Sequence, residues 1–169
     1  MTDSNGRVAN NPESLYRCLY YSRARRPLSD SQLTELEQLC LEKNTRHHVT
    51  GYLVYYEECF VQYIEGSHRA ILTLMDNIAR DDRHDIKVRL EEYMDTGRLF
   101  PRWHMRFFTR LTDSDMEGVL FVHLATMSEF RHDQESERVA WNLVDIMQQI
   151  ARVANGSWHK PGSSPGGLS

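Results

Sequence analysis

The 169-residue sequence contains no run approaching the ~18 consecutive apolar residues of a membrane-spanning helix, which excludes an integral helical membrane protein. Cysteine is scarce: Cys18, Cys40 and Cys59 make an odd set. Each lies beside apolar neighbours in a segment that reads as regular structure, so buried free thiols are the simplest account and a disulfide framework is excluded. There is no excess of positive charge. A formal net charge of −4 and a pI near 6.1 give no general attraction to nucleic acid or anionic lipid. Arg23, Arg25 and Arg26 form a local basic cluster that reads as a solvated loop. There is no glycine-rich phosphate loop; "EGSH" supplies one glycine before a helix, which reads as a cap. His47, His48, His84 and His104 lack metal-ligand spacing on one element, and no cysteine completes a cluster, so no metal is expected. No apolar signal segment precedes Leu15, where Arg7 is the sole basic residue; the expected address is cytoplasmic.

What is present is an ordinary globular composition, 40% hydrophobic and 26% charged, in a chain long enough for one domain with appendages. Residues 1–14 are polar and aperiodic, and the tail 159–169 ("HKPGSSPGGLS") is similar; both are expected to be disordered. Near residue 110 a mixed strand and helix pattern gives way to a helical one. The expected division is therefore a domain over 15–110 and a helical extension over 111–158.

"LYRCLYYS" reads as a strand with Tyr16, Cys18 and Tyr20 on one face and Leu15, Arg17, Leu19 and Tyr21 on the other. After Pro27, Ser29 and Gln32 form a capping-box pattern opening an amphipathic helix with Leu33, Leu36 and Cys40 at helical spacing; Asn44 continues that stripe. "VTGYLVYYEECFVQYIEG" reads as a hairpin turning at Glu57 and Glu58, an unusual turn pair. A second helix over about 68–80 follows a Ser67 cap and turns Ile71, Leu74, Met75 and Ile78 to one side. "IKVRLEEYM" alternates, predicting Ile86, Val88 and Leu90 on one face. "RWHMRFFTR" predicts Trp103, Met105 and Phe107 on one face. The order β-α-β-β-α-β-β predicts an α+β, ferredoxin-like five-stranded mixed sheet with two helices on one face. Two C-terminal helices follow, within 113–130 and 135–154. The second carries Val139, Leu143, Ile146, Met147, Ile150 and Val153 at helical spacing, to cover the other sheet face, to form a dimer, or both.

The strand "FVQYIEG" poses the chemical question. Gln62 shares a face with Phe60 and Ile64, and a buried amide without a partner costs about 1 to 3 kcal/mol. Tyr20, Asn44 and Gln62 converge on one region of the expected core. They read either as polar groups bonding one another inside a core or as the lining of a ligand cavity.

"LYRCLYYS", "EKNTRHHVTGYLVYY", "CFVQYIEG", "RDDRH" and "FPRWHM", in this order and spacing, resemble the BLUF family, the sensors of blue light using flavin. The resemblance covers about residues 15–108 and implies a photoreceptor, not an enzyme, holding a flavin noncovalently between two helices, usually FAD, with FMN or riboflavin as alternatives. Tyr20, two positions before Ser22, matches the photoactive tyrosine, and Gln62 the essential glutamine. Asn44 matches the asparagine that binds the flavin's carbonyl edge. Lys43 stands where the family varies near the ring, and equally reads as a solvated helix-end lysine. Asp81, Arg83 and His84 match a loop that reaches the flavin side chain, and equally read as a charged helix terminus. Trp103 and Met105 match a pair that can exchange places near the glutamine, and equally read as core packing. The implied mechanism is light-driven electron and proton transfer from the tyrosine, recombination, and a rearranged hydrogen-bond network around the glutamine. An amide has donors and an acceptor, so Gln62 could bridge Tyr20 and the flavin edge.

No attached cyclase or phosphodiesterase domain is expected. The expected output is an unidentified downstream protein or a change in self-assembly, with a homo-oligomer expected from the amphipathic C-terminal helices and no nucleic-acid or membrane partner. The rival readings are an interaction module with a decayed flavin site, a flavin-dependent oxidoreductase, which lacks a nicotinamide fingerprint, and an RNA-binding sheet suggested by Tyr52 and Tyr55.

Overall fold

The computed structural model describes residues 11–109 and 114–157. The elements are β1 (Leu15–Ala24), α1 (Asp30–Arg46), β2 (Thr50–Tyr56), β3 (Cys59–Ser67), α2 (His68–Ala79), β4 (His84–Tyr93), β5 (Arg106–Phe108), α3 (Ser114–Ser128) and α4 (Gln134–Ser157). The strands form one sheet in the order β4-β1-β3-β2-β5, antiparallel except for the parallel β2–β5 pair. Central β3 places Gln62 opposite Tyr20 of β1 and Leu53 of β2, so the amide lies at the middle of the sheet.

Strand alternation divides the core into two layers. Cys18, Tyr20, Leu53, Phe60 and Ile64 face α1 and α2, with Ile71 and Met75 of α2 buried against them. Leu19, Tyr21, Tyr52, Val61 and Tyr63 face the opposite way, toward Leu120, Leu124 and Met127 of α3 and Trp141, Val144 and Met147 of α4. The Arg17 guanidinium lies 4.1 Å from the Trp141 ring centroid, a cation–π contact that joins α4 to β1. The C-terminal helices therefore cover the second sheet face. Tyr52 and Tyr55 are both buried, on opposite faces, and form no exposed stacking platform.

Local chemistry sets the element ends. Ser29 accepts from the Gln32 amide while the Gln32 side chain accepts from the Ser29 amide, completing the capping box. Ser67 caps α2 through the Ala70 amide. Glu57 and Glu58 both take positive φ, 46° and 65°, as a two-residue hairpin turn with the handedness of the strands requires. Gly51 has φ of 149°, and a Cβ there would stand 1.9 Å from the Tyr63 carbonyl oxygen; only glycine lets β2 approach β3 at that point.

Several expectations are corrected. Ile86 does not share a face with Val88 and Leu90: a bulge pairs Tyr21 with Val88 but Ser22 with Ile86, so Lys87 is the extra residue and Ile86 turns toward the α1/α2 layer. Trp103 does not share a face with Met105 and Phe107. The chain is in a turn until β5 begins at Arg106, so strand alternation does not govern Trp103, which packs with Phe100 and Tyr52 on the α3/α4 side. On α4, Leu143, Met147 and Ile150 face inward, but Val139, Ile146 and Val153 are solvent-exposed. The inner face is centred on Ala140, Val144, Met147 and Ala151, and the apolar stripe is wider than the contact. Of the expected leader, residues 11–14 form a turn whose Ser14 and Pro12 carbonyls accept from His68 and Arg69; residues 1–10 and the tail 159–169 lie outside the described residues.

Candidate functional site

A cleft opens between α1 and α2 over the centre of the sheet. It encloses about 840 Å³, its mouth included, and is lined by Tyr20, Cys40, Lys43, Asn44, Gln62, Asp81, Arg83 and His84 among apolar walls that include Leu36, Leu53, Phe60, Leu74 and Ile78. That lining suits a small organic ligand with a few oriented polar groups. Three elements place the deepest polar groups. Alternation turns Tyr20 and Gln62 upward from paired strands, and the last turn of α1 brings Asn44 down.

Tyr20 donates its hydroxyl proton to Gln62 Oε1 at 2.5 Å, and both residues are almost wholly buried. Burial holds the Tyr20 hydroxyl well above the ordinary tyrosine pKa, keeping it a neutral donor. The other end of the amide is directed too: Gln62 Nε2 donates to Met105 Sδ at 3.5 Å. Asn44 is 2% exposed, and no described residue accepts a hydrogen bond from its Nδ2. A donor stripped of water and left unpaired next to a cleft is a site awaiting an acceptor.

The rim is charged. Arg83 is tied to Asp81 by a side-chain ion pair with distances of 2.8, 3.0 and 2.5 Å, which lowers the Asp81 pKa. Lys43 lines the same mouth from α1. His84 closes the end near Tyr20. Its Nε2 lies 3.2 Å from the Ile78 carbonyl, which can only accept, so Nε2 carries the proton and Nδ1 accepts from the Ser22 hydroxyl at 2.7 Å. Burial lowers the pKa of His84 against an opposing effect of Asp81, in keeping with a neutral ring. Burial pushes the Cys40 thiol up to about 11, so it behaves as an apolar wall.

The structure thus brings Tyr20, Lys43, Asn44, Gln62, Asp81, Arg83 and His84 to one cleft. Met105 joins them from behind, against Gln62, whereas Trp103 is on the other side of the sheet. Two participants went unread in the sequence. Cys40 looked like stripe filler, and Ser22 looked like a marker beside Tyr20; its placement on the Tyr20 face, two residues on, was the available signal. Among the described residues no group of His, Cys, Asp and Glu could hold a metal ion.

Sheet, helices and cleft define a ligand-holding α+β domain of ferredoxin-like topology with a buried tyrosine–glutamine pair at its floor. The family described as "BLUF: Sensors of blue-light using FAD" matches residues 15–106, more than half of the sequence. The chain belongs to the BLUF family of blue-light flavin photoreceptors. The dark-state structure of BlrB, a BLUF protein, is 30% identical with a TM-score of 0.57, over 64% of this chain and 86% of that one. BlsA in its photo-activated state shares the fold, with a TM-score of 0.56 at 24% identity over 76% of this chain and 92% of that one. Photoactivated adenylate cyclase subunit beta of Euglena gracilis is 29% identical over 162 residues, which is 95% of this chain and 16% of that protein. The chain thus spans about one sixth of the length of that curated relative. No helix among the described residues is long and apolar enough to cross a membrane.

Proposed function

We propose that this chain is a blue-light receptor that binds a flavin noncovalently in the α1/α2 cleft and reports light absorption through the Tyr20–Gln62 hydrogen bond. The observation that carries the reading is the combination of that 2.5 Å bond with the unfilled Asn44 Nδ2 at the same cleft. Asn44 would hold the ring's carbonyl edge, Gln62 would hydrogen-bond the flavin edge beside Tyr20, and Lys43 and Arg83 would offer positive charge to the phosphate end. FAD is the expected flavin. FMN and riboflavin carry the same ring, and the BlrP1 structure from Klebsiella pneumoniae with FMN and cyclic diGMP, at 25% identity and a TM-score of 0.54 over 78% of this chain and 35% of that one, names FMN.

When bound, the flavin supplies blue-light absorption and an excited state that takes an electron. The chain's own part is to hold a proton and to change a hydrogen-bond pattern. Tyr20 is the buried group that can give up both an electron and its hydroxyl proton, and Gln62 Oε1 is the acceptor already aligned with that proton. A half-turn of the Gln62 amide would set its NH₂ against the Tyr20 oxygen, which can also accept, so the same two residues support two arrangements. Only an amide offers this exchange; a leucine has neither group and a carboxylate has no donor. The apolar walls keep water from competing for either arrangement. The new arrangement would be read by an unidentified downstream protein or by a homo-oligomer interface.

The test is the visible spectrum of the purified protein before and after blue light and during dark recovery, beside Gln62→Leu. A reversible red shift in the parent and none in the variant supports the reading. A protein that cannot be reconstituted with flavin, or whose flavin only bleaches, makes it a light-insensitive interaction module.

A further inference from the structure

We propose that Glu65 is a positioning residue for this site: its carboxylate clamps the turn before β5 so that Met105 is held against the Gln62 amide. The proposal rests on the flavin reading above. Glu65 is three residues beyond Gln62 on β3, on the opposite sheet face beside Tyr63, and is wholly buried at 0% exposure. A buried carboxylate must have its acceptor positions filled. Oε1 accepts from the Thr50 hydroxyl at 3.1 Å and the Phe100 amide at 2.7 Å; Oε2 accepts from the Tyr63 hydroxyl at 2.9 Å and the Leu99 amide at 2.9 Å.

Its neighbours extend the clamp along the turn. Arg98 donates to Thr50 Oγ1 at 2.9 Å, to the Glu65 carbonyl at 2.8 Å and to the His48 carbonyl at 2.6 Å. Trp103 donates its amide to the Phe100 carbonyl at 3.1 Å, and its carbonyl accepts from Gly51 at 2.8 Å. The backbone is therefore pinned from Arg98 to Trp103. Met105 comes two residues later, before β5 pairing begins at Arg106. Its place against Gln62 follows from a turn that Glu65 holds on the far side of the same strand.

Glu65→Gln is nearly isosteric yet cannot keep the clamp. Each carboxylate oxygen faces one hydroxyl and one backbone N–H, so either orientation of the amide turns its NH₂ toward an N–H that cannot accept. Dark recovery of the flavin-loaded full chain is measured in the parent, Glu65→Gln, Met105→Leu and the double variant. The recovery rate should change about three- to tenfold on Glu65→Gln in the parent background and less than about twofold in the Met105→Leu background, the non-additivity expected of residues acting as one unit. A residue that only stabilises the fold would shift both backgrounds alike. Equal effects in both, or a parental rate in Glu65→Gln, overturns the proposal. Should Glu65→Gln not fold, Thr50→Val removes one donor to the carboxylate, and the same cycle has the same two outcomes. Amide hydrogen exchange at Leu99 and Phe100, which needs no flavin, should quicken in Glu65→Gln. A parent without a light-induced shift sinks the flavin reading, whereas unchanged exchange at those amides sinks the clamp.

Discussion

Asn44 combines burial with an idle donor, and these pull in opposite directions unless a ligand supplies the acceptor. In the absence of ligand the side chain carries a desolvation cost; with the flavin's carbonyl edge in reach the same group contributes affinity. Asn44→Ala should weaken flavin binding roughly two- to tenfold, the worth of one hydrogen bond, while leaving the stability of the flavin-free protein within about 1 kcal/mol. Flavin titration by fluorescence and urea unfolding of the flavin-free protein check the two halves. A loss of stability with unchanged affinity would make Asn44 a core residue. At this scale Tyr20, Asn44 and Gln62 were legible in the sequence because each is a polar group on an otherwise apolar face. Glu65 was equally anomalous, an acid next to Ile64 in a central strand, but its partners Leu99 and Phe100 are backbone amides more than thirty residues away, which no local pattern displays.

Among the elements, α3 carries a second buried group with an unfilled position, as α4 does at Trp141 Nε1. His123 is wholly buried, its Nε2 is 3.4 Å from the Tyr52 hydroxyl, and no described residue bonds its Nδ1. Burial lowers its pKa from 6.5 to about 4. The unfolded chain therefore binds more protons between those values, and stability falls as pH drops from 6.5 and levels off below about 4. Between pH 7 and pH 5 the protein should lose on the order of 2 kcal/mol more than His123→Phe, measured by denaturant unfolding at both pH values. Equal losses would place the acid sensitivity elsewhere; His84, whose pKa burial also lowers, is the next candidate. Helices α1 and α2 were legible from their caps and stripes and α4 from its stripe, β1 from alternation, and β2 and β3 as a hairpin turning at Glu57 and Glu58. The misplaced faces of Ile86 and Trp103 have one cause: a bulge and a turn each break the two-residue period. Lys87 carries no local signal of the bulge, and Pro101 marks a turn without showing that irregular backbone runs on to Met105.

For the whole molecule, the sheet is a partition with the cleft on one side and α3 and α4 on the other, so a change at Gln62 must cross it to reach the C-terminal helices. Met105 touches Gln62 on the cleft side, and Phe108, three residues on, packs into the α3/α4 layer. The segment from Met105 to Phe108 therefore presents both faces of the sheet within one short strand. Met105→Ala removes the contact with the amide but leaves Tyr20 and Gln62 bonded. The truncation costs about 2 to 3 kcal/mol of packing, so flavin occupancy and circular dichroism must first match the parent. The flavin's red shift should then survive while a light-dependent change in oligomeric state, followed by size-exclusion chromatography in the dark and under blue light, disappears. If both survive, the signal does not travel through Met105. If both vanish, Met105 belongs to the hydrogen-bond switch itself, and the relay to the helices begins with the backbone of β3.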